Sequence, residues 1–404
     1  MTAIRWASGV MLIVLAASGS GADDSDSAKK TEETLKRAGQ ALEKQDYDGA
    51  IALLNEALQL DAKNPSAYAL RGIAHSRKGE RDEALADYEK ALQLDAKNVL
   101  AYTSRGALRM ESGDLDKALD DFNKALEINP KYPIAYLSRG SAYTIKRDYA
   151  KALADFTKVI ELDPQSIAAY ANRGQTYLYN HDLDKALADF DKALEIEPKF
   201  VGGHIGRGVV FQEKGDLEKA FKEFNKALAL DPKSAEAYQA RGDAWMEKEE
   251  YDKAIADYSH VLKLHPKDVR ALVSRAEACT EKGDYEKGIT DFQEALKLHA
   301  NNPEALAGLA WIWATCPKAE LRDGKKAVAY AEKACKLTEF KDATFLDTLA
   351  AAYAENGQFD EAIKTQKEAL KSPDDFPKKE LEKAKLRLQL YKQGKPYRQS
   401  EPHP

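Results

Sequence analysis

An arginine recurs every 34 residues along this chain, at Arg37, Arg71, Arg105, Arg139, Arg173, Arg207, Arg241 and Arg275. Seven of them are followed sixteen residues later by an acid: Asp87, Asp121, Asp155, Asp189, Glu223, Asp257 and Asp291. Arg37 instead meets Leu53. A row of guanidinium groups can hold phosphate or carboxylate. A row of arginines matched by its own row of acids needs no ligand, because each charge already has its counter-charge. The pairs Arg105 with Asp121, Arg139 with Asp155, Arg173 with Asp189 and Arg207 with Glu223 are therefore expected as an internal ion-pair ladder.

The other residues with chemistry to offer form weaker patterns. His260 and His265 lie five apart, off the i, i+4 spacing that puts two metal ligands on one helical face. The stretch Gly202-Gly203-His204-Ile205-Gly206-Arg207-Gly208 looks like a phosphate loop but lacks the Gly-Lys-Ser/Thr ending and follows no strand. Each glycine in a helix costs ~1 kcal/mol relative to alanine, so this stretch is expected to be a weak, locally flexible helix. Three cysteines are too few for a disulfide framework. Cys316 and Cys335 would lie ~18 Å apart on two antiparallel helices at ~1.5 Å per residue. Buried thiols are expected, with a Cys279–Cys316 bridge left open. No nucleophile elbow, zinc-protease motif or glycine-rich cofactor fingerprint is present in the sequence. The chain is read as not an enzyme, with no cofactor, no metal and no small-molecule substrate.

The elements that must position these residues follow from the same period. Gly (23) and Pro (14) are thin punctuation for a β-rich chain of 404 residues, and the dominant residues are strong helix formers. The net charge of −6 argues against a nucleic-acid partner. Eight units run from Thr31 to Asn302 without an insertion. Within a unit numbered 1 to 34, position 8 is small (Gly72, Gly106, Gly140, Gly174) and position 20 is alanine in seven units. Position 24 is aromatic from the second unit on (Tyr88, Phe122, Phe156, Phe190). Position 16 is an acid suited to starting a second helix, and position 32 is proline in the middle units, which stops it. Two apolar stripes at helical spacing make each unit a helix–turn–helix whose faces must be buried by stacking on neighbours.

The pattern resembles the tetratricopeptide repeat family over roughly residues 31–373. The resemblance implies an all-α, right-handed superhelical solenoid of about ten stacked helix-turn-helix repeats. Position 7 departs from the family, which usually carries leucine where this chain has arginine. The expected division is eight regular repeats at 31–302, two divergent repeats at 303–376, a capping helix at 377–394 and a disordered tail at 395–404. Arg5 followed by the apolar run Trp6–Ala17 and small residues up to Ala22 is the order of a signal peptide, expected at 1–22, with a linker at 23–30. Export to the periplasm or the medium is expected, with membrane contact only if that segment stays uncleaved.

In the family the first helices line the concave face through positions 2, 5, 9, 12 and 13. Carried onto this chain, those positions give Leu137, Ser141, Thr144, Ile145, Gln175, Tyr179, Ile205, Val209, Gln212, Glu213, Asp243 and Glu247. The lysine and asparagine by which some members clamp a C-terminal carboxylate are absent. The expected function is a non-catalytic scaffold or adaptor whose partner is another protein or peptide. That peptide is expected to be apolar in its middle and basic toward repeats seven and eight, where Glu236, Glu277 and Glu281 add to the acids. The alternative is an accessory subunit of a membrane-associated enzyme or a secretion or assembly complex.

Overall fold

The computed structural model describes residues 26–372, 376 and 378–399. Every described element is helical. The chain divides into two compact units, residues 1–210 and 211–404. The first unit holds α1 (Asp26–Glu43), α2 (Tyr47–Leu60), α3 (Pro65–Lys78), α4 (Arg81–Leu94), α5 (Val99–Glu111) and α6 (Leu115–Ile128). It continues with α7 (Pro133–Ile145), α8 (Tyr149–Leu162), α9 (Ile167–Tyr179) and α10 (Leu183–Ile196). Helix α11 (Val201–Glu213) begins in it. The second holds α12 (Leu217–Leu230), α13 (Ala235–Glu247), α14 (Tyr251–Leu264), α15 (Val269–Lys282), α16 (Tyr285–Leu298) and α17 (Pro303–Thr315). Then come α18 (Gly324–Leu337), α19 (Ala343–Glu355), α20 (Phe359–Ala369) and α21 (Lys378–Lys392). Within each unit the helices pack as consecutive hairpins, each hairpin on the next.

Local chemistry sets the helix ends. Asp46, Asp114, Asp148, Asp182 and Asp216, all at position 16, accept from the backbone N–H three residues on and so cap the second helices. Asn64, Asn98, Ser166 and Ser234 do the same for first helices. Each such cap contributes about 1 kcal/mol. Between the two helices of a hairpin, the aromatic at position 24 lies against the glycine at position 8. Phe122 is wholly buried, and a Cβ on Gly106 would sit 2.6 Å from its ring. Gly106→Ala is therefore expected to lower stability by about 1–3 kcal/mol through overpacking, despite alanine's better helix propensity. Urea denaturation checks this. A stability gain would mean the ring can step aside.

The arginines tie the hairpins together. Arg173 donates from Nε and Nη2 to Asp189 at 2.8 Å on both prongs, and from Nη1 to Thr157 of the preceding hairpin at 3.0 Å. Arg139 does the same with Asp155 and Asn123, and Arg71 with Asp87 and Asn55. In the second unit Arg241 joins Asp257 to Asn225, and Arg275 joins Asp291 to Ser259. Arg105 grips Asp121 by two prongs, and Arg109 adds a third bond to that carboxylate. Arg207 donates to Asp191 at 2.7 Å, and Glu223 accepts from Lys226 at 2.8 Å. The tyrosine at position 4 lies under the guanidinium, with Arg173 5.7 Å from the Tyr170 ring centre.

Two terminal expectations change. Residues 26–30 are not linker but the first turns of α1, where Asp26 meets the positive helix end and Thr31 and Thr34 bond back to Ser27 and Lys30. Residues 395–399 are not disordered. Gly394, at φ +67°, turns the chain back after α21, and the segment packs on α17 and α19. The signal segment, residues 23–25 of the linker and residues 400–404 lie outside the described residues. Among the described residues no helix is long and apolar enough to cross a membrane. Cys279, Cys316 and Cys335 are buried free thiols.

Candidate protein-interaction surfaces

In the first unit the predicted positions gather on α7 and α9. Ser141 Oγ donates to the Leu137 carbonyl and Thr144 Oγ1 to that of Gly140, both on α7. Thr144 Oγ1 also meets Thr176 Oγ1 across to α9 at 3.0 Å. Leu137 and Gln175 are half-buried beside them. Ile145 and Tyr179, at position 13 of adjacent repeats, are 47% and 49% exposed. Large apolar side chains so open to water are few among the described residues, and these two fall on equivalent sites one repeat apart. They offer an exposed apolar patch.

Helix α11 departs from expectation. Ile205 is only 5% exposed, so it is a packing residue and not a surface contact. The glycines explain why. A Cβ on Gly206 would lie 2.3 Å from the Phe190 ring, and one on Gly203 would lie 2.9 Å from Leu194, both on α10. These glycines let α11 press close to the hairpin before it, which buries its neighbours. Val209 is half-buried against the cluster of Leu178, Ala186, Phe190 and Val210.

The second unit carries acids. Glu247 and Glu281, both at position 13, are exposed, as is Glu213, and Gln212 donates to Glu247 at 3.2 Å. Asp243 is already engaged. It accepts from Tyr258 Oη and Gln239 at 2.9 Å and from Arg270 at 2.7 Å. Arg270 stands at position 2 of the following repeat, and that contact was the signal sequence reasoning passed over. Burial holds the Asp243 carboxyl above its ordinary range, against the pull of Arg270. Glu277 reaches solvent, but desolvation by the surrounding protein, with the charges of Asp243, Glu304 and Glu281, pushes its carboxyl up to about 7.

Glu277 sets a pH dependence. With its folded pKa raised, its favourable contribution is full below the ordinary carboxylate range and is lost as pH rises through about 7. Glu277→Gln is expected to raise Tm relative to wild type at pH 8, with the gap closing toward pH 4. A gap independent of pH would show that Glu277 is not the titrating group. A cationic side chain docked here would release the proton, so basic ligands should bind more tightly as pH rises from 6 to 8.

Among the described residues no group of histidine, cysteine and acidic side chains is placed to hold a metal ion. Family models described as tetratricopeptide repeat match residues 99–132, 133–166 and 167–200, residues 240–304 and residues 343–375. A model described as TPR repeat matches 41–79, 77–113 and 210–248. A crystallised tetratricopeptide repeat protein from Parabacteroides merdae is 24% identical, with a TM-score of 0.53, covering 62% of this chain and 99% of that one. YrrB, described as a TPR protein with an unusual peptide-binding site, is 25% identical over 46% of this chain and 97% of its own, with a TM-score of 0.38. Yeast Tom70 is 18% identical over 91% of this chain and 96% of its own, with a TM-score of 0.47. No curated protein matches the chain.

Proposed function

We propose, from the premise that the chain belongs to the tetratricopeptide repeat family, that it is a non-catalytic scaffold binding peptide segments of a partner protein. The family fold supports protein–protein interaction. The observation that carries the finer reading is the row at position 13. It is apolar at Ile145 and Tyr179 in the first unit and acidic at Glu247 and Glu281 in the second. Two surfaces follow. One takes an apolar segment on α7 and α9, and one takes a basic segment on α13 and α15. The chain works outside the cytoplasm, a reading that rests on the order of residues 1–22 alone.

Peptide-display selection on the purified chain tests the binding. Selected sequences are expected to be apolar or basic, the apolar set lost with Ile145→Asp/Tyr179→Ser and the basic set lost with Glu247→Lys/Glu281→Lys. Salt should weaken only the basic set. Selections unchanged by both variants would move the binding surface elsewhere. N-terminal sequencing of the natural protein tests export, and a chain starting at Met1 would sink it.

A further inference from the structure

The tail Lys395–Gln399 lies on a row of positions that stands open in the regular repeats among the described residues. Position 13 of the first helix is exposed at Arg77, Glu111, Ile145, Tyr179, Glu213, Glu247 and Glu281. In the last two repeats the equivalent residues are Thr315 and Glu355, and both are covered. Thr315 is wholly buried, and the Glu355 side chain keeps 13% of its exposure. The tail contacts both residues. Arg398 pairs with Glu355 at 2.6 Å and donates to the Ala314 carbonyl at 3.3 Å. The Gln399 amide donates to the Thr315 carbonyl at 2.9 Å. Tyr397 lies against Trp311, at position 9, with ring centres 6.1 Å apart, and stacks on Arg387 at 5.2 Å.

These contacts are those of an extended peptide laid across two helical hairpins. A backbone bond fixes its path, an aromatic ring finds an aromatic wall, and an arginine finds a glutamate. Glu355 is held ready from the other side by Arg322 at 3.2 Å.

We propose that repeats nine and ten form a binding site for an extended segment of another protein carrying an aromatic residue followed by arginine. The chain's own Pro396-Tyr397-Arg398 occupies that site in cis until such a segment displaces it. This rests on the peptide-scaffold reading and adds to it the partner's chemistry and a strap that competes with the partner.

The test uses a fluorescein-labelled peptide, Gly-Lys-Pro-Tyr-Arg-Gln-Ser, identical to residues 394–400. It is titrated into the full chain and into the full chain carrying Tyr397→Ser/Arg398→Ser, which loosens the strap. The loosened chain is expected to bind at least tenfold more tightly than wild type. Adding Glu355→Gln should remove that binding, and so should arginine-to-alanine in the peptide. Equal binding to both chains, or none to a loosened chain that keeps wild-type circular dichroism, would overturn the proposal. If loosening unfolds the end repeats, hydrogen exchange on wild type decides. Excess peptide should speed exchange of the Gln399 amide at least fivefold while amides inside α17 keep their rates, and no change overturns the strap. Dimerisation of wild type through exchanged tails would overturn the commitment to a foreign segment. None of these failures touches the surfaces on α7, α9, α13 and α15, which have their own selection.

Discussion

Asp347→Ala is expected to cost about 3–5 kcal/mol in the last two repeats while leaving the regular repeats folded. Arg387, on α21, is 1% exposed and pairs with Asp347 through Nη2 at 2.7 Å and Nε at 3.0 Å. Gln366 donates a further bond to the same carboxylate at 2.6 Å. Removing the acid leaves a guanidinium in the core with little else to neutralise it, since Glu380 stands at 3.8 Å and is itself part-exposed. Uncompensated burial of a charge is the costly case, not the loss of the bond itself. Repeat stacks lose structure from their ends, so unfolding should split into two steps. Trp311 and Trp313 report the first step by fluorescence, and helical circular dichroism reports the second. The double change Asp347→Leu/Arg387→Met should recover most of the loss. A single transition with the wild-type midpoint would show that the cap does not depend on this pair.

Arg173→Met is expected to cost about 3 kcal/mol. Asp189 is 5% exposed and would lose both prongs of its partner, while Thr157 would lose its tie to the next hairpin. The same change separates the two chemical meanings of the arginine row. A structural rung predicts a lowered urea midpoint with peptide selection unchanged on the folded fraction. Unchanged stability with peptide binding lost would make the row a ligand site. Asp189→Leu added to Arg173→Met should restore stability, because two apolar groups of similar size replace a desolvated pair.

The regular repeats were legible because a period of 34 repeats one structural solution many times. The small residue at position 8, the aromatic at 24 and the arginine–acid spacing each recur as an identity. The second arm of each arginine was not legible. Its acceptor at position 25 is Asn55, Asn123, Thr157, Asp191, Asn225 or Ser259, and only the shared ability to accept a bond connects them. The tail was misread for a related reason. Lys, Pro, Gln and Ser say disorder by composition, but Arg398 draws its order from a carbonyl 84 residues away. Residues 26–30 misled by composition too, since acids and serines that suit a linker also suit the start of a helix. Ile205 looked like a surface residue by register alone. Its burial depends on the glycines around it, whose effect is a distance between helices and not a pattern in the chain.

The sixteen-residue arms of the arginines also bear on how such a chain can change length. Cutting out residues 106–139, one whole period of 34, places Asp155 sixteen residues after Arg105, so the rung closes again with a new partner. Cutting out 30 or 38 leaves the guanidinium opposite a residue of another kind. Gain and loss of sequence inside the regular region is thereby restricted to whole multiples of one period, a reading frame imposed by electrostatics on top of the genetic one.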